Sequence, residues 1–99
     1  MKVIHAPKDV GNQAKFADRL LKDNAFDLLH IHLKEGEMVS KHHAKEAILI
    51  IVRDGIVEFD TEGEKVSLTD EDILFFEPFE PHSLRAIEET DLLLIKRKE

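Results

Sequence analysis

The stretch AILIIVRDGIVEFD, residues 47–60, decides the class of fold. Its first half, Ala47–Val52, is a continuous apolar run rich in β-branched side chains, which suits a central strand packed on both faces. Asp54-Gly55 follows, a favoured two-residue hairpin turn because both positions tolerate positive φ. Beyond it Val57 and Phe59 alternate with Glu58 and Asp60, the period of two that marks a strand with one wet face. The segment therefore reads as strand, turn, strand.

The same texture extends in both directions. Upstream, Leu29, Ile31 and Leu33 alternate with His30, His32 and Lys34, and Gly36 opens a further strand through Met38 and Ser40. Downstream, Thr61-Glu62-Gly63 is a turn, after which Val66 and Leu68 alternate with Lys65 and Ser67. Thr69–Asp72 is a polar turn, and Ile73–Phe76 reads as a buried run. Two prolines make Glu77-Pro78-Phe79-Glu80-Pro81 a loop, since they deny a ladder its amides. His82–Ile87 and Leu92–Lys96 close the series, separated by Glu88–Asp91, whose charges read as a solvated turn. Seven or eight short strands at regular spacing predict an all-β sandwich or barrel. Only residues 12–23 read as helix: Ala14, Phe16, Ala17, Leu20 and Leu21 approach the i, i+3, i+4, i+7 pattern behind Asn12 as a possible N-cap. The expected organisation is one domain over residues 1–99, with a helical prefix at 12–23 and a barrel over 26–97.

Composition narrows the function. Ninety-nine residues leave room for one core. Cysteine is absent, which excludes disulfides, thiolate nucleophiles and cysteine-held zinc. Fourteen Lys and Arg against 21 Asp and Glu give a net charge of −7, which argues against a nucleic-acid partner. No apolar run approaches the ~18–20 residues of a membrane span, so no membrane partner is expected. The opening MKVIHAPKDV lacks the apolar core of a signal peptide, and a cytoplasmic location is expected. No nucleophile elbow, P-loop or dinucleotide fingerprint occurs.

Gly36 is followed after five residues by His42, and a glycine returns at Gly55. Further on, Asp72-Ile73-Leu74-Phe75-Phe76 leads through the proline loop to Pro81-His82-Ser83. Over residues 28–96 this arrangement resembles a small single-domain cupin, which implies a cupin-type jelly-roll β-barrel here, with the short helix in front. Against the family's first motif, Ala44 stands at the second histidine and Ile48 at the glutamate. Against the second, anchored on His82, Glu71 stands at the first glycine, Glu77 at the proline, Phe79 at the second glycine and Ala86 at the asparagine.

The resemblance implies that the barrel interior is the functional site, with His42, Ala44, Ile48, Ile50, Phe75 and His82 lining a pocket. In cupins that carry a metal, three histidines and a glutamate converge inside the barrel; this chain keeps His42 and His82. Glu46 shares the parity of His42, so an unbroken strand would offer His42, Glu46 and His82 as a two-histidine, one-carboxylate set suited to a divalent transition metal. Two functions follow. One is a small-molecule-binding cupin of unassigned ligand, with no cofactor because the metal set is incomplete. The other is a divalent-metal-dependent cupin enzyme, dioxygenase- or isomerase-like. His30 and His32, opposite the apolar face of their strand, read as a solvent or subunit-contact face, with a second ligand pair as the alternative. Glu77 and Glu80 are expected near the His82 imidazole, favouring a polar or cationic ligand, unless they face solvent and Phe79 plugs the barrel end. The apolar runs 47–52 and 92–95 need more cover than one small barrel supplies, so a homodimer is expected.

Overall fold

The computed structural model describes residues 1–42 and 45–98, with 41 and 42 described through the backbone alone. Nine strands are present among them: β1 (Lys15–Lys22), β2 (Phe26–Leu33), β3 (Met38–His42), β4 (Ile48–Asp54), β5 (Val57–Thr61), β6 (Glu64–Leu68), β7 (Ile73–Phe76), β8 (His82–Ala86) and β9 (Thr90–Arg97). They form two antiparallel sheets, ordered β1-β2-β9-β4-β7 and β3-β8-β5-β6. The class is all-β, as the periodicity implied. No helix long and apolar enough to cross a membrane occurs among the described residues.

The core lies between the sheets and is built by alternation. Ile48, Ile50 and Val52 of β4 point inward beside Leu92 of β9, against Val57 and Phe59 of β5 and Leu84 and Ala86 of β8. Phe59 and Phe76 meet at its centre with ring centroids 5.7 Å apart. The run 47–52 is not buried on both faces. Leu49 and Ile51 are half-buried on the outer side, so β4 is an alternating strand whose outer face is also apolar. The same holds for β7, where Ile73 and Phe75 are exposed and Leu74 and Phe76 turn inward.

Residues 12–23 do not form a helix. Lys15–Lys22 is strand β1, hydrogen-bonded along β2 from Lys15 opposite Leu33 to Lys22 opposite Asp27, with an irregularity between Arg19 and Leu21. Phe16 and Leu20 are four apart, a spacing that puts two residues on one side of a helix and also on one side of a strand. The free edge of β2 settles the matter, because its unpaired amides and carbonyls need a partner.

The turns divide into one confirmed and one corrected. Glu62 and Gly63 both adopt positive φ, 22° and 93°, and close a two-residue hairpin in which Thr61 faces Glu64. Asp54-Gly55 closes no hairpin: β4 pairs with β7 and β9, whereas β5 pairs with β6 and β8. Gly55 instead carries the chain from one sheet to the other at φ 88°. A Cβ there would collide with the Glu89 carbonyl oxygen and stand 2.8 Å from Thr90 Cα. Phe79, at the family's second glycine position, has φ 65° and is 64% exposed, so it does not plug the barrel.

These two sites should respond oppositely to small changes. Gly55→Ala should cost about 3 kcal/mol or more, since backbone must move and positive φ disfavours a side chain. Phe79→Gly should stabilise by about 1 kcal/mol, because left-handed backbone penalises any Cβ and little packing is lost. Urea unfolding midpoints of the two variants check both signs.

Candidate functional site

Two polar features are set into this apolar frame, one inside the barrel and one on the outer face of the five-stranded sheet.

Inside lies a cavity of about 190 Å³ lined by Leu29, Ile31, Val39, Ile48, Ile50, Phe59, His82, Leu84, Leu94 and Lys96. Of the pocket residues expected from sequence, Ile48, Ile50 and His82 meet here. Phe75 does not line the cavity; it is 51% exposed, and its neighbour Phe76 takes the inward place. The His82 ring stacks on Phe76, centroids 4.3 Å apart at 18°, and its Nδ1 donates to the Glu80 carbonyl oxygen at 3.1 Å. His42 faces His82 across the β3–β8 ladder by backbone register, but its side chain and Ala44 lie outside the described residues. Glu46 sits in the bend before β4, beyond the end of β3. The Glu80 carboxylate caps the loop, accepting from the Glu77 N–H at 3.1 Å, which leaves its backbone carbonyl as the group that orients His82.

The metal that the resemblance implies does not fit this cavity as the family holds it. Ile48, 2% exposed, fills the glutamate position with a side chain that has no lone pair, and the surrounding wall is apolar.

On the outer face His30, His32 and Asp91 converge, all buried, rather than lying at a wet surface. Asp91 belongs to β9 and is fully buried, so Thr90–Asp91 is strand and not a solvated turn. Its carboxylate is saturated by four donors. Oδ2 accepts from His30 Nε2 at 2.6 Å and His32 Nδ1 at 2.8 Å; Oδ1 accepts from Arg53 Nε and its terminal nitrogen, each at 2.6 Å. His32 Nε2 reaches Glu89 Oε2 at 2.7 Å, and Lys34 Nζ reaches the same oxygen at 3.3 Å. Phe16 closes over His30 edge-on at 5.4 Å.

These donors are of the types that bind metals, with ligand atoms within 4.8 Å of one another. Two ligands each about 2.1 Å from a tetrahedral ion stand about 3.4 Å apart, however. The 2.6 and 2.8 Å separations are hydrogen-bond distances, and Arg53 already supplies the positive charge. The group is a hydrogen-bonded ion cluster. Periodicity missed it because a histidine pair and a lone aspartate on a strand's second face look like surface; the signal was that Asp91 shares parity with Leu93 and Ile95.

With a carboxylate on each ring nitrogen, His32 uses both as donors only as the imidazolium. Burial opposes that charge, but Asp91 and Glu89 outweigh it and hold the His32 pKa above its ordinary 6.5. Asp91 is held below 3.8: burial raises it, and the bonds from Arg53, His32 and His30 overcome burial. The native state thus keeps a proton on His32 that the unfolded chain releases above about pH 6.5, so this contribution is full below 6.5 and declines as pH climbs through the raised value. The Asp91 contribution is full above 3.8 and declines as pH falls through its lowered value. Stability should therefore be greatest between about pH 4 and 6.5 and fall on either side. Urea midpoints across that range check it, and His32→Gln should flatten the alkaline limb.

The comparisons with known proteins agree with this architecture. The Cupin domain family model matches residues 29–95. No curated protein sequence matches the chain. Among solved structures, an RmlC-like cupin from Desulfovibrio desulfuricans superposes with a TM-score of 0.85 at 19% identity, covering 98% of this chain and 96% of that one. An RmlC-like cupin with a double-stranded β-helix fold from Methanocaldococcus jannaschii gives 0.82 at 21% identity, over 98% and 90%. KdgF from Halomonas sp. gives 0.77 at 18%, over 96% and 90%. Likeness at such identities speaks for the fold, and the family match covers more than half of the residues. The chain belongs to the cupin family.

Proposed function

We propose that this cupin is a small-molecule-binding protein whose pocket is the barrel interior, and that it works as a homodimer in the cytosol. The cavity carries the reading: an apolar wall with a very few fixed polar groups is the usual recipe of a ligand site, and His82 is held by its stacking on Phe76 and its bond to Glu80. The divalent-metal enzyme is the lesser reading, because Ile48 and Ala44 take two of the family's four ligand positions. His42, His82 and Glu46 are then the set left to a metal. Protein purified untagged without chelators should hold well under one equivalent of Mn, Fe, Ni, Cu or Zn by elemental analysis. Near-stoichiometric metal that survives dialysis and is lost in His82→Ala would install the enzyme reading instead.

The homodimer rests on the outer face of the five-stranded sheet. By register Leu21, Leu28, Ile95, Leu49 and Phe75 form one row across all five strands, with Leu93, Ile51 and Ile73 beside it. An apolar face this wide is costly in water, and a second copy covers it without needing a different partner. Light scattering should give a dimer at micromolar concentration. Ile51→Glu, which sets like charges across the two-fold axis, should give a folded monomer; a wild-type monomer at all concentrations would refute the interface.

A further inference from the structure

Among the described residues that line the cavity, Lys96 is the one Lys, Arg, Asp or Glu. Along β9, Leu92 and Leu94 face inward, and Lys96 follows at the same parity, joining the cavity wall. A cation on the apolar side of an alternating strand needs a counter-ion. The cross-strand neighbour Asp27 is the obvious candidate, since it pairs with Lys96 in register, yet its Oδ1 lies 3.0 Å from Lys98 Nζ. That bond, with burial opposing it and Arg19 and Lys22 assisting, holds the Asp27 carboxyl below its ordinary range. Among the described residues Lys96 makes no ion pair, with Asp27, Glu46 or any other acid.

The surroundings strengthen the imbalance. In a chain of net charge −7, Lys22, Lys96, Arg97 and Lys98 gather at this one end of the sheet: Lys22 and Lys96 both face Asp27, and Arg97 faces Phe26. The interior beyond Lys96 is hydrocarbon, formed by Leu29, Ile31, Val39, Phe59 and Leu94 among others. A dry cavity of about 150 Å³ lined by such residues takes a benzene-sized body. At about 190 Å³ this one has room for six to nine heavy atoms.

We propose, building on the pocket reading above, that the barrel takes a small monocarboxylate, its hydrocarbon body in the apolar cavity and its carboxylate paired with the unmatched Lys96. One ammonium neutralises one negative charge in a low-dielectric wall, so a monoanion is favoured over a dianion such as a phosphate monoester and over a neutral or cationic molecule. This reverses the cationic preference expected from Glu77 and Glu80.

The test titrates methyl-labelled protein with benzoate and isovalerate and, in parallel, with the neutral benzamide and isovaleramide, following Ile48, Ile50 and Leu94 methyl resonances. Wild type should bind each acid at least about tenfold more tightly than its amide. Lys96→Met should remove that preference, Lys96→Arg should retain it, and Arg97→Met, at an exposed position facing Phe26, should leave it largely intact. Methyl spectra of each variant also report folding. Equal binding of acid and amide in the wild-type cavity would overturn the charge assignment while leaving the pocket reading in place. Preference that survives Lys96→Met would overturn the assignment to Lys96. No methyl response to either class would overturn both readings.

Discussion

A single buried carboxylate fixes the arrangement of the larger sheet. Asp91 lies on its central strand, and an unpaired charge there would be strongly destabilising. It is tolerable only where His30 and His32 of β2 and Arg53 of β4 converge on it from both sides. Sliding either neighbour by one residue would separate the carboxylate from its donors and turn every side chain of that strand to the opposite face. The cluster therefore locks three strands in register. Next to it, the Thr90 hydroxyl donates towards the carbonyls of Ile56 at 3.0 Å and Glu88 at 2.8 Å, and Gly55 packs against Thr90. The crossing between the sheets is thus tied to the same point.

That register decides what the pocket contains. Because Asp91 faces outward, Leu92, Leu94 and Lys96 must face inward, and the only charge on the inner side of β9 arrives at the cavity's end. Across the ladder Ile48 is brought beside Lys96, so the position that the resemblance assigns to a glutamate in metal-carrying cupins supplies hydrocarbon beside a cation.

Much of this was legible in the sequence, for reasons that also explain the failures. Alternation of period two identified β2, β5 and β6, because one wet face leaves a clear imprint, whereas Ile48 and Ile50 were placed inside by the family resemblance and not by the pattern of their unbroken apolar run. β1 was misread since Phe16 and Leu20 satisfy helix and strand alike, and the deciding factor, the open edge of β2, is not local. Phe75 and Phe76 are chemically the same, and only pleat parity distinguishes the one that lines the interior. Glu88–Asp91 looked like a surface charge run because the donors that satisfy Asp91 come from residues 30, 32 and 53, far away in the chain. Lys96 could have been found: a lysine two residues beyond Leu94 on an inward face is a visible anomaly.

The placement of β9 also constrains how the chain can be made. It is the last of the nine described strands and the middle strand of its sheet, flanked by β2 and β4. While the polypeptide emerges from a ribosome, β1–β2 and β4–β7 are separate ribbons with raw inner edges, and nothing already synthesised can join them. Closure waits until residue 97 is free, and until then two sticky edges await one strand. Arg53 meanwhile carries its charge on one of those ribbons without the aspartate that will pair with it.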